Sequence, residues 1–201
     1  MEQREIKDLA ISAAVLAFVF AYAYFGGITN IMSVIIGFPV MLLIISISFI
    51  FHELGHRNIA MKFNAYAEYR LWKNGLILAV IITVFTNGWL IFAAPGAVMI
   101  YTRADLWGRS AALSRQASGI ISASGPVMNI IIAIAFFLLA ALVPVSVLGI
   151  DVFGLGARIN ALLAFFNLLP IPPLDGSKIL PWNIRIWAAL FIPAIILYSL
   201  A

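Results

Sequence analysis

The chain of 201 residues contains no cysteine, only two histidines and few charged residues, which make up 10% of it. The absence of cysteine excludes disulfide bonds and thiolate ligands, so any metal site must use nitrogen and oxygen donors. The scarcity of charge, together with 64% hydrophobic residues, is typical of a polytopic membrane protein and not of a soluble domain. The net charge of +4 comes from basic residues that form no run, so we predict no nucleic-acid partner.

Both histidines lie in one stretch, Ser46 to Asn58, where an apolar run continues directly into the sequence HELGH. On a helix, positions i and i+4 share a face, so His52 and His56 can bind one metal ion together. This H-E-x-x-H arrangement is that of zinc hydrolases, in which two neutral imidazoles bind Zn²⁺. The adjacent carboxylate, here Glu53, takes a proton from the water that the metal activates.

A chance match on an ordinary helix is the alternative interpretation of this motif. Against it, the motif follows eighteen uncharged residues, Val34 to Phe51, which are enough to cross a bilayer as a helix. An ionisable residue at membrane depth is by default functional, and Glu53 would be costly there without a role. We therefore predict a metal site at His52 and His56.

Basic residues after the motif indicate its depth and orientation. Arg57 and Lys62 close the helix, which puts His52 roughly 7 to 15 Å below them along its axis. Because Lys and Arg mark the cytoplasmic side, we expect the site to lie within the bilayer near the cytoplasmic face of the cell membrane. The N-terminus, with Arg4 and Lys7, is expected in the cytoplasm.

The apolar segments predict an all-α polytopic membrane protein with about five transmembrane helices in a single domain covering residues 1–201. A cleaved signal peptide is the alternative for the first segment, but its apolar part exceeds the usual length. Pro39 predicts a kink in the second segment. The five predicted spans cover residues 9–25, 34–60, 117–142, 156–169 and 187–201.

Residues 75–101 can be interpreted in two ways. Asn87-Gly88 between two apolar arms is a hairpin signal and predicts a membrane re-entrant β-hairpin, whereas hydropathy alone predicts one more crossing and six spans. A single crossing would divide Lys and Arg seven to five between the two sides. A re-entrant segment would divide them eleven to one, which the positive-inside rule favours.

A carboxylate far along the chain is the candidate third ligand, because zinc bound by two His residues needs one more protein donor. An apolar helix ends near Leu169 and runs into three prolines, which cannot continue it, and then Asp175. Apart from the acid of the HELGH motif, those of the head and Asp151 in its loop, the other acids are Glu68 and Asp105, which sit among basic residues and are expected to form surface pairs. A helix cap or turn is the alternative role for Asp175.

Asn129 is a lone amide within an apolar helix and must find a partner. It is either part of the site or a bond between helices, and the sequence does not separate these two roles.

Three motifs together resemble the site-2 protease family of intramembrane zinc metalloproteases. They are HELGH at 52–56, GPVMN at 125–129, and the pattern N-x-x-P-x-x-P-x-D-G, formed by Asn167, Pro170, Pro173, Asp175 and Gly176. The resemblance covers a core of about residues 41–178. It implies that His52, His56 and Asp175 bind one Zn²⁺ ion, that Glu53 is the general base, and that Asn167 and its prolines shape the site.

The resemblance also implies β-structure that re-enters the membrane between the first and second core spans. Unlike many relatives, a chain of this length is expected to be a minimal member with no room for a PDZ or CBS domain. The expected activity is hydrolysis of a peptide bond in a transmembrane segment of a membrane protein substrate. The alternative is a metal transporter or a non-catalytic metal-binding membrane scaffold. Transport needs ionisable groups along a path across the bilayer, whereas here they collect at one level.

Overall fold

The computed structural model describes residues 3–93, 95–102 and 113–201, and these form seven α-helices and four short strands. The helices are α1 (Gln3–Tyr24), α2 (Ile31–Lys62), α3 (Lys73–Phe85), α4 (Arg115–Leu142), α5 (Val152–Asn167), α6 (Gly176–Trp182) and α7 (Ile184–Leu200), with a 3-10 helix at Gly27–Asn30. The strands are β1 (Ala65–Leu71), β2 (Gly96–Thr102), β3 (Ser146–Val147) and β4 (Ile150–Asp151).

Within the described residues, three helical segments are long and apolar enough to cross a membrane: Gln3–Tyr24, Gly27–Lys62 and Arg115–Leu142. They coincide with the first three predicted spans. The other two predicted spans coincide with α5 and α7, which are apolar but have only 16 and 17 residues. At 1.5 Å per residue each is about 25 Å long, slightly less than the roughly 30 Å of a bilayer core.

Short polar side chains begin most of these helices. Asn30 accepts a hydrogen bond from the Ser33 amide, Ser114 from the Ala117 amide, and Asp151 from the amides at the start of α5. Each cap satisfies backbone donors that a helix leaves free at its start. Asn183 does the same for α7.

The helices α2, α4 and α5 pack together at the centre, while α1 covers α2 and α7 covers α5. Small residues permit the close contact between α2 and α4: a Cβ on Gly55 would lie 2.8 Å from the Ser124 carbonyl oxygen. The largest apolar core joins α1, α2 and α5 around Phe20, Met41 and Ile159. The site is built where the three central helices meet.

Strands β1 and β2 form an antiparallel sheet in which Leu71 lies opposite Gly96. The Trp72 amide donates a hydrogen bond of 2.9 Å to the Pro95 carbonyl, so the two ends of segment 73–95 are adjacent. The segment therefore leaves the sheet as α3, turns, and returns through residues 89–93, which form neither helix nor strand.

The chain reversal was predicted from the sequence, but the prediction that both of its arms are strands is wrong. Asn87 and Gly88 form the predicted turn, with positive φ angles of 50° and 83°. The arm before the turn is helix α3 and not a strand, and β2 pairs with β1 instead. The Asn-Gly signal indicates where a chain reverses, but it does not distinguish a helical from an extended apolar arm.

The turn of this segment and the sheet beside it are both fastened to α1 or to the 3-10 helix that follows α1. At the turn, Asn87 Oδ1 accepts a hydrogen bond of 3.2 Å from the Ile28 amide, and Gly88 packs so closely that a Cβ would lie 2.6 Å from Ala23 Cα. At the sheet, the Asp8 carboxylate accepts one of 3.3 Å from the Leu71 amide. Asp8 and Ala23 are fifteen residues apart on the helical chain, so the segment extends roughly 20 Å along α1.

Acidic side chains of α1 also cover the outer edge of β1. The buried Glu5 accepts from the Tyr69 amide at 3.4 Å and forms an ion pair of 3.3 Å with Arg57. Tyr69 in turn donates its hydroxyl hydrogen to Ser12 at 2.8 Å. These contacts satisfy backbone groups that would otherwise be unpaired at a strand edge.

Candidate metal centre

His52 and His56 from α2 and Asp175 from the loop before α6 bring three ligand atoms together. The two Nε2 atoms are 3.0 Å apart, and Asp175 Oδ2 lies 3.4 Å from His52 Nε2 and 3.2 Å from His56 Nε2. Among the described residues these three form a cluster that could hold a metal ion. Asp175 lies more than a hundred residues along the chain from the two histidines.

The proline segment after α5 places the carboxylate. It leaves the helix axis after Leu168 and folds back so tightly that a Cβ on Gly176 would collide with the Leu168 carbonyl oxygen. Asp175 is the residue directly before α6, in the N-cap position, but its side chain makes no cap hydrogen bond there. Its carboxylate is directed to the two imidazoles instead, so the alternative role as a helix cap is not what the structure has.

The Nδ1 atom of each imidazole is held by an oxygen acceptor. His52 Nδ1 lies 2.6 Å from Asn129 Oδ1, and His56 Nδ1 lies 2.8 Å from the Ile121 carbonyl oxygen. Because these acceptors require a proton on Nδ1, the lone pair of each neutral ring lies on Nε2 and faces Asp175. Such partners orient metal-binding histidines and fix their tautomer.

One backbone carbonyl and one side-chain oxygen fix the orientation of the Asn129 amide. Asn129 Nδ2 donates to the Ser48 carbonyl at 3.4 Å and to Asn160 Oδ1 at 3.1 Å. Asn160 Nδ2 donates to the Gly156 carbonyl at 2.9 Å. Asn129 therefore belongs to the site and also connects helices α2, α4 and α5, so both roles considered for it are present.

Glu53 lies beside the cluster in a buried cavity. The residue is 4% exposed, and its Oε1 has no hydrogen-bond partner in the described part of the chain. The cavity has a volume of about 30 Å³ and is lined by Glu53, His52 and Asp175 together with apolar residues. This space accommodates about one water molecule. A buried, unpaired carboxylate is costly and indicates a functional group.

The donor set fits zinc. A tetrahedral ion with bonds of about 2.0 to 2.1 Å separates its ligand atoms by roughly 3.3 Å, close to the distances among the three donors. Gly125 leaves the space open, because a Cβ there would lie 2.6 Å from His52 Nε2 and also collide with His56. Two imidazoles and one carboxylate leave a fourth position for water or substrate.

Two further residues of the predicted set line the cavity, Asn167 and Pro173. The Asn167 amide donates to the Leu163 carbonyl of its own helix at 3.0 Å, which holds it in place. Pro170 and Gly176 are not among the cavity-lining residues; they belong to the break and the fold-back that place Asp175.

Glu68 and Asp105 were the two acids expected to form surface pairs, and the structure describes only Glu68. Glu68 is paired with Arg70 at 2.7 Å, as expected, but Glu68 itself is buried at 5% exposure, whereas the Arg70 side chain is 31% exposed. Asp105 lies outside the described residues.

Several contributors were not predicted. Asn160 could have been found by the reasoning applied to Asn129, since it is another amide within an apolar helix. The Ile121 carbonyl has no side-chain signal at all. Phe49 and Tyr69, which line the cavity, look like ordinary core aromatics in the sequence. Burial raises the pKa of the Tyr69 phenol well above its ordinary value, so the hydroxyl remains protonated.

The chain is a mostly helical membrane protein with a metal centre of two histidines and one carboxylate. These are the features of the class of membrane zinc metalloproteases. The sequence profile of peptidase family M50, the site-2 protease family, matches residues 40–150. The chain belongs to this family, and zinc is its metal.

Two similar proteins carry the name "putative zinc metalloprotease". One, from Methanocaldococcus jannaschii, is 42% identical over 195 residues, which cover 96% of this chain and 92% of that protein. The other, from Bacillus subtilis, is 30% identical over 161 residues, which cover 71% of this chain and 68% of that protein. No solved structure gives a significant match to the chain.

Proposed function

We propose that this membrane zinc metalloprotease cleaves a peptide bond within a transmembrane segment of membrane protein substrates. The observation that carries the proposal is the convergence of His52, His56 and Asp175 beside the unpaired carboxylate of Glu53 in a buried cavity. The apolar surroundings of this site support a substrate that is itself within the bilayer.

The chemistry follows from what each side chain can do. Zinc, when bound by the three ligands, supplies a Lewis acid that polarises the peptide carbonyl and acidifies a water molecule. Glu53 accepts a proton from this water while the water oxygen attacks the carbonyl carbon. The protonated side chain of Glu53 then passes this proton to the amide nitrogen as the C–N bond breaks. Asn129 keeps His52 in the tautomer that this arrangement needs.

We infer that the N-terminus is cytoplasmic and that segment 73–95 re-enters the membrane without crossing it. The adjacency of Trp72 and Pro95 supports this, because the segment returns to its starting point after roughly 20 Å. The eleven-to-one distribution of Lys and Arg agrees with it. The metal centre then lies within the bilayer near the cytoplasmic face, in a multi-pass protein of the cell membrane.

Strand β2 offers a place for an unwound substrate segment. The Trp72–Pro95 hydrogen bond sets the alternation of the ladder, so the backbone groups of Val98 and Ile100 point away from β1. Within the described residues the sheet has only two strands, and Lys178 Nζ contacts the Val98 carbonyl at 3.4 Å. An extended peptide could add to this outer edge by main-chain hydrogen bonds. Val98 lines the cavity, so the added strand would pass the metal centre.

The decisive experiment compares the wild type with Glu53→Gln in purified, zinc-analysed protein and a single-span substrate peptide. We expect both proteins to hold zinc, because Glu53 is not a ligand, and cleavage by the variant to fall by about 10²-fold or more. Equal cleavage by the variant would contradict the assignment of Glu53. The alternative, a metal transporter, would be supported if neither protein cleaved the peptide and if the Glu53→Gln variant still took metal into vesicles.

A further inference from the structure

One arginine and two tyrosines form a cluster near the ends of helices α1 and α7. The guanidinium carbon of Arg158, in α5, lies 5.2 Å from the centroid of the Tyr198 ring in α7. Tyr24, the last residue of α1, lies within electrostatic range of both side chains. Glu5, at the other end of α1, pairs with Arg57 beside the metal ligands. The cluster and the metal centre therefore lie toward opposite ends of α1.

The polar groups of this cluster have no protein partner among the described residues. Arg158 is exposed, and no carboxylate of the described chain lies within ion-pair distance of it. Asp151, the nearest acid in the sequence, accepts hydrogen bonds from two amides at the start of α5 instead. The Tyr69 hydroxyl donates to a protein acceptor, whereas the hydroxyls of Tyr24 and Tyr198 bind no described residue. One guanidinium and two phenol hydroxyls are therefore available to a ligand.

The position of Arg158 in the membrane is unusual. It is the seventh residue of α5, about 9 Å along a helix that starts on the non-cytoplasmic side in the proposed topology. It is also the exception in the eleven-to-one distribution of Lys and Arg, so the positive-inside rule does not account for it. An unpaired arginine on a membrane helix is costly, and such a residue by default marks a functional site.

The three groups match the phosphate of a lipid headgroup. A guanidinium donates two parallel hydrogen bonds to phosphate oxygens, and contact with the Tyr198 ring face leaves its N–H donors available. Tyrosine hydroxyls can donate to the remaining oxygens, and tyrosine rings favour the headgroup level of a membrane. We propose that Arg158, Tyr198 and Tyr24 bind the phosphate of an anionic phospholipid in the non-cytoplasmic leaflet. This site goes beyond the proteolytic function and does not depend on it.

A net negative headgroup is favoured because no carboxylate offsets the charge of Arg158, which attracts an anion and repels the cation of a zwitterionic headgroup. The bound lipid would join the ends of α1, α5 and α7, whose rings at Tyr24 and Tyr198 pack against one core. Anionic lipid is therefore expected to stabilise the protein.

The test places a fluorophore beside the cluster and measures which lipid surrounds it. Ser199 is exposed, and the chain has no cysteine, so Ser199→Cys gives a single labelling position. The full chain in phosphatidylcholine vesicles is titrated with spin-labelled phosphatidylglycerol or spin-labelled phosphatidylcholine, and quenching gives their relative association constants. We expect phosphatidylglycerol to be preferred at least about tenfold, the factor that one charge-assisted hydrogen bond supplies. Equal association of the two lipids would overturn the proposal.

Variants separate a built phosphate site from general attraction to a positive charge. Arg158→Lys keeps the charge but loses the fork of N–H donors, and Tyr198→Phe keeps the ring but loses the hydroxyl. We expect each to lower the preference at least about threefold, and Arg158→Gln to abolish it. Arg185→Gln, an exposed position at the other end of α7, is the matched control and should keep the wild-type preference. A wild-type preference in both Arg158→Lys and Tyr198→Phe would overturn the site.

Two further measurements identify the ligand and exclude a purely structural role for the arginine. Inorganic phosphate in excess over the lipid should not reduce the quenching, and its displacement of phosphatidylglycerol would overturn a lipid as the ligand. In detergent, phosphatidylglycerol should raise the Tm of the wild type more than phosphatidylcholine does, and this difference should vanish in Arg158→Gln. The same phosphatidylglycerol-dependent rise in Arg158→Gln would mean that the lipid binds elsewhere and that Arg158 only packs against Tyr198.

Discussion

The amide oxygen of Asn129 lies 2.6 Å from His52 Nδ1, and the same side chain donates from its nitrogen to Asn160. A residue of α4 thereby fixes which nitrogen of a histidine on α2 is available to the metal. The contact joins the packing of three helices to the chemistry of the site.

Replacement of Asn129 by Leu should weaken zinc binding, because His52 loses the acceptor that orients its ring. We expect zinc affinity to fall about 10- to 100-fold, as measured by competition with a chelator. Asn160→Leu is the control and should have a smaller effect, since Asn129 can still donate to the Ser48 carbonyl. Equal affinity in wild type and Asn129→Leu would contradict an orienting role.

Replacement of Gly125 by Ala should reduce zinc content directly. The added methyl group would lie 2.6 Å from His52 Nε2, in the space between the ligands, so the imidazoles must separate. We expect at least about a tenfold loss of zinc affinity. Gly156→Ala, where the methyl group meets only the Phe136 ring at 3.0 Å, should keep its zinc. Metal analysis of the two purified variants measures their zinc content. Full zinc content in Gly125→Ala would show that the space between the two imidazoles can accommodate a methyl group.

Replacement of Ile100 by Pro should lower cleavage without loss of zinc. Proline removes a backbone N–H that points away from β1, so the β1–β2 ladder keeps its hydrogen bonds while a pairing substrate loses one. Ile100→Ala keeps the N–H and is the matched control. We expect kcat/KM to fall about tenfold in the proline variant relative to the alanine variant. Similar values for the two variants would argue against substrate pairing at β2.

The absence of cysteine makes the topology directly testable. Single cysteines at Lys73, Arg115 and Val145, all exposed positions, can be labelled with a membrane-impermeant maleimide from either side of vesicles. We expect Lys73→Cys and Arg115→Cys to react from the cytoplasmic side and Val145→Cys from the other. Labelling of the first two positions from opposite sides would mean that the segment between them crosses the membrane.

Replacement of Glu5 by Ala should destabilise the protein, because it leaves Arg57 and the Tyr69 amide without their buried acceptor. Loss of one partner of a buried ion pair costs about 3 to 5 kcal/mol, and Arg57 is 14% exposed, so we expect the lower part of that range. Thermal unfolding in detergent measures the change. Lys7→Ala, at an exposed position on the same helix, should leave the midpoint within experimental error.

The convergence of His52, His56 and Asp175 could be predicted because metal-binding chemistry restricts both residue type and spacing. His52 and His56 had to share a helix face, and Asp175 followed a proline break that released it from a helix. The sequence could not indicate that α3 is helical or that β2 pairs with β1, since apolar periodicity fits both conformations and pairing depends on distant residues. It also did not reveal the burial of Glu5, because its partners, the Tyr69 amide and Arg57, are more than fifty positions away.

The attachment of α1 to both the sheet and the Asn87-Gly88 turn has a mechanical consequence. The Asp8 carboxylate and the Ser12 hydroxyl accept hydrogen bonds from the sheet, and Gly88 of the turn packs against Ala23 near the other end of the same helix. A force that pulled α1 sideways would drag the sheet and also α2, because α2 packs against α1 and Arg57 is ion-paired with Glu5, so the wall of the cavity and the histidines would move together.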